Sequence, residues 1–352
     1  MDSNNAVLIK RLLLVAMLLA FLVIALGAFT RLVHAGLGCP DWPTCYGHLW
    51  VPDSHEEIAI ANQRFEETPV ETDKTWPEQL HRILASSLGL LIIIINLLFY
   101  VSKAGKSLTL GKKHALLILF AVIIQGLFGM WTVTLKLWPQ VVTLHLLGGF
   151  TTLTLLWLLY LRLAAKPWQL DSQSLQKISR LKTLATAAVI MLILQISLGG
   201  WTTSNYAAVA CPDLPLCQQQ WFPAMDFKQG FNILQEVGPN YLGGQLDNAS
   251  RVAIHISHRL GALAVTLLLM GLLFFIFKHG REKNLLCHAY SLTAILIAQI
   301  SLGFANILLH FPVSIAVMHN VTAAILLLSL VSFRYRMATM VLINNNNSST
   351  YE

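Results

Sequence analysis

With 352 residues, 55% of them hydrophobic and only 12% charged, the chain carries about half the charge of a soluble domain, where roughly a quarter of residues are charged. Its net charge of +7 separates by side of a membrane, so it reports topology and calls for no nucleic-acid partner. These figures exclude a soluble enzyme and a nucleic-acid-binding domain, and leave an all-α polytopic membrane protein.

A bilayer core takes about 20 apolar residues per helical crossing. Eight such runs follow one another, at roughly 12–29, 83–101, 115–134, 141–161, 183–203, 253–277, 285–308 and 314–333. Lys10 and Arg11 precede the first run, which is too long for a signal-peptide core and is followed by no A-x-A-like cleavage site; it is expected to be retained. A long loop, 31–77, separates the first two runs. It contains "CPDWPTC" (39–45) and an acidic stretch from Glu56 to Asp73. A second long loop, 204–252, contains "CPDLPLC" (211–217), and residues 341–352 form a polar tail.

Sixteen of the 24 Lys and Arg fall at the termini and in the even-numbered connections, among them Lys10, Arg11, Lys103, Lys106, Lys177, Arg180, Arg281 and Arg336. By the positive-inside rule that side is cytoplasmic, with both termini on it, and the two long loops face outward. Four of the five cysteines lie in those loops. In the oxidising compartment outside a bacterial inner membrane, C-x5-C pairs can close as disulfides, Cys39–Cys45 and Cys211–Cys217, each worth roughly 2 kcal/mol on a chain-entropy model. Free thiols and a C-x-D-x-C metal loop stand as the alternatives. Cys287 is expected to be a small buried apolar residue.

The two loops belong to a longer repeat. "LGAFTRLVHAGLGCPDWPTC" parallels "LGGWTTSNYAAVACPDLPLC", "EQLHRILA" parallels "HISHRLGA", "QGLFGMWT" parallels "QISLGFAN", and "TLHLLGGF" parallels "VMHNVTAA", at offsets of 172 to 177 residues. The chain is therefore expected to be two tandem four-helix bundles, 1–165 and 166–340. Each has an even number of spans, so both point the same way, unlike the inverted repeats of many transporters.

Each even-numbered span carries a histidine near its outer end: His81, His145, His258 and His319. A single such residue is ordinarily interfacial or a packing residue, but four at matched positions point to ligation, because ionisable groups in spans are expensive. Neutral imidazole is a common axial ligand of heme iron, and bundle cores hold cofactors between facing helices. Four residues after each histidine stands a small one, Ala85, Gly149, Ala262 or Ala323, on the same helix face. A flat macrocycle needs that room; a zinc ion does not. Small residues also simply let helices pack. Arg82 and Arg259 directly follow their histidines and are expected to contact heme propionates, snorkelling to headgroups being the alternative. The pairing that follows is His81 with His145 and His258 with His319.

These residues carry a resemblance. "GAFTR…GLGCPDWPTCYG", the E-x-x-H-R of 78–82, the HR of "HISHR" and the two later histidines resemble the heme A synthase family across residues 12 to about 335. The resemblance implies an eight-helix oxidoreductase that converts the C8 methyl of heme O to a formyl group, giving heme A for terminal oxidases. It also implies a heme B cofactor in the C-terminal half and the substrate heme in the N-terminal half. A Cys39–Cys45 disulfide and a carboxylate three residues before the first histidine, here Glu78, are implied as well. The first outer loop is longer than the minimal family pattern. Expected partners are membrane lipid, a heme O supplier such as a heme O synthase, an electron donor and a second copy of the chain.

Glu78 lies on the face of His81, and the matching position of the second half holds His255. A carboxylate there suits proton handling or stabilisation of positive charge; a helix first-turn acid is the alternative. His34, His255 and His310 are read as interfacial or secondary contacts. A diheme b-type electron-transfer cytochrome would use the same four histidines but gives no reason for Glu78. A solute transporter would leave the histidines unexplained.

Overall fold

The computed structural model describes residues 3–101, 109–170, 181–280 and 282–342. Lys103, Lys106, Lys177, Arg180 and Arg281 of the basic set, and most of the polar tail, lie outside them. Eight helices among the described residues are long and apolar enough to cross a membrane. They run over Ser3–Leu32, Thr72–Val101, Thr109–Thr134, Pro139–Ala164, Leu181–Ser204, Asn248–His279, Lys283–Leu308 and Val313–Thr339, and are called here the first to eighth spans. Lipid offers no partner to a backbone N–H or C=O, so runs of Leu, Ile, Val and Ala close their hydrogen bonds within the helix. Leu18, Leu90, Leu97, Phe120 and Ile297 are exposed on the outside of these helices, where lipid takes the place of a protein core.

Span starts follow local chemistry. Pro139 opens the fourth span at its first turn, where a missing N–H is harmless. The Asp247 side chain accepts the Ser250 N–H and caps the sixth. The second span begins at Thr72, well before the apolar run at 83. Its first eleven residues are too polar for hydropathy to register, yet Thr75, Glu78 and Gln79 are buried there against the first outer loop. That loop holds a short helix, His55–Arg64, closed by a capping box between Ser54 and Glu57.

In the first half, neighbours pack in a closed ring: first on second, second on third, third on fourth, fourth on first. The second half repeats it, fifth on sixth, sixth on seventh, seventh on eighth, eighth on fifth. The two rings meet where the first and fourth spans pack on the fifth and eighth, and one continuous apolar core runs through both. In each ring the even-numbered spans are therefore diagonal partners, both facing the centre. Residues 341 and 342, assigned to the tail, instead pair in parallel with Gln169–Leu170 of the connection between the halves.

The repeat is visible in backbone detail. His34 and Tyr206, at matched positions after the first and fifth spans, both take left-handed conformations, with φ of 57° and 54°. Lys136–Leu137 and His310–Phe311 do the same after the third and seventh. Non-glycine residues adopt this region rarely, so its recurrence marks a shared tight turn. His34 and Tyr206 also touch each other across the join, rings parallel with centroids 5.4 Å apart. Arg31 donates to the Tyr206 hydroxyl and, at 2.8 Å, to the Thr203 carbonyl.

Gly38 fixes the first outer loop against the second span. A Cβ there would run into the Lys74 carbonyl and lie 3.1 Å from the Thr75 nitrogen, backbone atoms that cannot swing aside. Gly38→Ala should cost about 1–3 kcal/mol, the usual range for overpacking. Thermal unfolding in detergent should show a lower midpoint; an unchanged midpoint would mean the loop is not seated on this helix.

Candidate functional site

The diagonal arrangement brings His81 of the second span and His145 of the fourth together edge-on, with ring centroids 6.3 Å apart and planes at 79°. His258 and His319 hold the same places in the second ring. Each imidazole rests on a glycine from the preceding odd-numbered span. A Cβ on Gly27 would lie 2.8 Å from His81, on Gly129 3.2 Å from His145, on Gly199 3.2 Å from His258 and on Gly303 3.4 Å from His319. The room for the rings thus comes chiefly from neighbouring helices. The small residues one turn past the histidines are less uniform: Ala85, Gly149 and Ala323 are half-buried and Ala262 is exposed.

A glutamine stands four residues before three of these glycines. Gln125 Nε2 donates to the His145 carbonyl at 2.6 Å. Gln195 Nε2 lies 2.9 Å from the His258 carbonyl oxygen and 3.0 Å from its Nδ1. Gln299 Nε2 lies 3.3 Å from His319 Nε2. Sequence reasoning passed over these residues, although "QISLG" occurs twice verbatim, at 195–199 and 299–303, and Q-x-x-x-G a third time at 125–129.

Above each ring sits a cysteine loop. Cys39–Cys45 and Cys211–Cys217 are both disulfides, with Cα atoms 4.8 and 4.6 Å apart. Inside the first loop the Asp41 carboxylate accepts the N–H groups of Tyr46 (2.6 Å) and Gly47 (2.8 Å), and inside the second Asp213 accepts those of Gln218 (2.7 Å) and Gln219 (2.8 Å). Burial raises both carboxyls, but these donors outweigh it and hold both below the usual carboxylate range. Burial, with Glu71, Glu78 and Asp41 nearby, pushes the Tyr46 hydroxyl up to about 12.

Both arginines bind carbonyls of the cysteine loops. Arg82 donates through Nη1 to the carbonyls of Asp41 and Thr44, both at 2.8 Å, and through Nη2 to that of Cys39 at 3.4 Å. Arg259 donates to the matched carbonyls of Leu216 (2.8 Å), Asp213 (2.9 Å) and Cys211 (2.9 Å). Loop carbonyls need a fixed planar fork of donors, which a guanidinium supplies. Of Arg259, Nε is left buried without a partner.

Glu78 is 5% exposed and lies in the seventh position of its helix, so it is not a first-turn acid serving the helix dipole. One carboxylate oxygen accepts the Cys39 N–H at 3.0 Å and the other pairs with Arg82 at 2.5 Å. In the second half His255 binds the Ala207 carbonyl instead, at 3.0 Å, and Arg259 is left without an acidic side chain of this kind. Of the remaining residues weighed from sequence, His34 packs at the join between halves, and His310 forms the turn after the seventh span. Cys287 is a free and exposed thiol, not a buried apolar residue, because it lies on a lipid-facing or pocket-facing side of the seventh span.

These residues fit a heme. Two imidazoles sharing one metal through bonds of about 2 Å set their ring centres about 6 Å apart, which the His81–His145 spacing meets. Among the described residues no three His, Cys, Asp or Glu side chains cluster as a metal site, so the histidines occur as two-ligand sets suited to an axial pair and not to tetrahedral zinc. Nδ1 of His81, His145 and His319 is buried without a partner.

Comparison with known proteins points the same way. The chain matches the family model COX15-CtaA, described as cytochrome oxidase assembly protein, over residues 10–331. It is 43% identical over 324 residues to heme A synthase of Shewanella oneidensis, covering 92% of this chain and 95% of that protein. It is 27% identical to heme A synthase of Mesorhizobium japonicum, with 93% and 89% covered, and 26% identical to that of Caulobacter vibrioides, with 95% and 97% covered.

The arginine clamp is testable. Lysine has its three donors on one nitrogen and cannot span carbonyls that Arg259 reaches from two, and hydrogen bonds to a charged group are worth about 1.5–3 kcal/mol. In Arg259→Lys, a water-soluble phosphine at fixed pH should reduce Cys211–Cys217 on the order of tenfold faster or more, with Cys39–Cys45 in the same molecule as the unaffected control. Equal rates in variant and parent would show that Arg259 does not hold the loop.

Proposed function

We infer the function of this chain from the family to which it belongs, the COX15-CtaA family of cytochrome oxidase assembly proteins. It is a heme A synthase, a multi-pass membrane oxidoreductase. The reaction is oxidation of the C8 methyl of heme O to a formyl group, and the product serves terminal oxidases. His258 and His319 of the C-terminal half ligate a heme B cofactor, and His81 and His145 hold the substrate. The observation that carries this reading is the pair of imidazoles spaced for one metal between diagonal spans. The second ring repeats the histidine positions and their glycine rests, at His258 on Gly199 and His319 on Gly303, and differs at the place of Glu78.

That difference is Glu78. It lies one turn outward from His81, buried, and its counterpart is His255. Bound in the second ring, heme B supplies one-electron redox chemistry. The chain's own residues do the rest. The diagonal histidines orient the macrocycles, the odd-span glycines leave the rings free of steric conflict, and the clamped loops close both sites on the outer side and keep water out. Glu78, held between the Cys39 N–H and Arg82, is a buried carboxyl in the substrate half and either stabilises positive charge developing at the methyl carbon or carries its proton away. Arg259 Nε–H remains as a donor for a propionate. A diheme electron-transfer cytochrome would need the same histidines, but gives no account of Glu78 in one half where the other has His255.

The setting is the bacterial inner membrane with both termini cytoplasmic, which the distribution of Lys and Arg supports. A heme O synthase as supplier, an electron donor and self-association complete the proposal.

Glu78→Gln retains an acceptor for the Cys39 N–H but removes the charge. Loss of transition-state stabilisation should slow the reaction on the order of 10²-fold or more. Extracted pigments should shift from heme A to heme O or a partly oxidised intermediate, while heme B stays bound. Normal heme A at limiting enzyme would refute the catalytic role.

A further inference from the structure

The glutamines of the odd-numbered spans have no part in the function derived above, yet their placement is the most regular polar feature of the interior. Gln125 and Gln195 each reach across to the neighbouring even span and donate to the main-chain carbonyl of the histidine itself. Both amides sit in a seat made by glycine. A Cβ on Gly148 or Gly261, three residues past His145 and His258, would collide with the Oε1 of Gln125 or Gln195. One helical turn along the odd span, Gly129 and Gly199 bear the rings of the same two histidines. Q-x-x-x-G on one helix thus grips H-x-x-G on the next at two points, backbone and ring. The third glutamine, Gln299, reaches the His319 ring, but the residue three past His319 is Thr322 and no glycine seat is present.

The first site lacks the device. Val23 stands where the glutamine would be and Leu84 where the seat glycine would be, so donor and seat are absent together. Gly27 still bears the His81 ring and the Val23 main chain hydrogen-bonds it, so the ring is seated while the glutamine amide is missing. Both histidines of the C-terminal pair have an amide beside them; in the N-terminal pair only His145 has one.

We propose that Gln125 and Gln195 are positioning residues that lock His145 and His258 in register as iron ligands, with Gln299 beside the His319 ring, and that His81, which has no such amide, is the ligand left free to yield when substrate exchanges for product. This rests on the heme reading. It adds a physical reason why one half keeps its heme while the other turns it over. A ligand fixed at its own carbonyl cannot tilt or slide without breaking a buried hydrogen bond. One held only at its ring, as His81 is by the Val23 main chain, can.

The test uses the full-length protein purified with its hemes. Gln195→Met preserves shape and removes the amide, as does Gln125→Met in the other half. Outer-sphere partners of metal-ligating histidines are typically worth 10- to 100-fold in affinity. Gln195→Met should therefore release the heme B of the C-terminal half to apomyoglobin on the order of 10-fold faster and shift its low-spin electron paramagnetic resonance signal, leaving the N-terminal heme unchanged. Gln125→Met should do the reverse. The converse graft, Val23→Gln with Leu84→Gly, or Val23→Gln alone if the double variant misfolds, should slow release of the N-terminal heme while the heme B signal stays intact. Wild-type release rates and signals in both methionine variants, or equal disturbance of both halves by either one, would overturn the proposal, and a graft that leaves N-terminal release unchanged would overturn the role given to His81. A wild-type protein that purifies without any heme would instead overturn the functional reading on which it stands.

Discussion

Two imidazoles brought to 6.3 Å between diagonal helices set the terms for the rest of this molecule. A ring of four helices places alternate members opposite each other; here the even spans bring the histidines and the odd spans give way beside them. They do so with Gly27, Gly129, Gly199 and Gly303. Gly199 is followed by Gly200, whose Cβ would lie 3.2 Å from Thr143 Cγ2 on the fourth span. Adjacent glycines on one helix therefore serve the two halves in turn, one bearing His258 and the other admitting the helix that carries His145. The join between the halves is as close as it is because both sites need the same thinness at that level.

Polar groups inside a membrane protein must find partners within the protein. The outer ends of the even spans carry many, and the cysteine loops satisfy them. Arg82 and Arg259 bind three matched carbonyls each, and each loop is drawn together by its own aspartate and disulfide. Within the same clamp built twice, the halves differ at the residue three before the first histidine of each. Glu78 there neutralises Arg82; His255 does not neutralise Arg259. The chemical difference between the halves is thus imposed on a common frame without altering it.

Much of this was legible in the sequence, because lipid makes hydropathy almost a direct record of helix placement and because the repeat marks its own important positions. The four histidines, both cysteine pairs and Glu78 stood out for that reason. The start of the second span did not: Thr72–Arg82 is polar, and its helical state depends on burial against a loop that no local pattern reveals. The loop carbonyls that Arg82 and Arg259 bind were not legible either, because backbone groups of a tight loop are invisible in side-chain chemistry. The glutamines and glycines of the odd spans were present in the quoted repeats, but small and neutral residues in an apolar run read as packing until the partner helix is in place.

The central claim is that each half presents two histidines to one heme. Low-temperature electron paramagnetic resonance and near-infrared magnetic circular dichroism of the purified, heme-loaded protein test it most directly, since together they identify the axial ligands of each iron. The account predicts low-spin bis-imidazole signatures, with His258→Met or His319→Met converting only the heme B centre to a histidine–methionine signature and sparing the other half. A heme B centre whose ligand signature is unmoved by both replacements would contradict it.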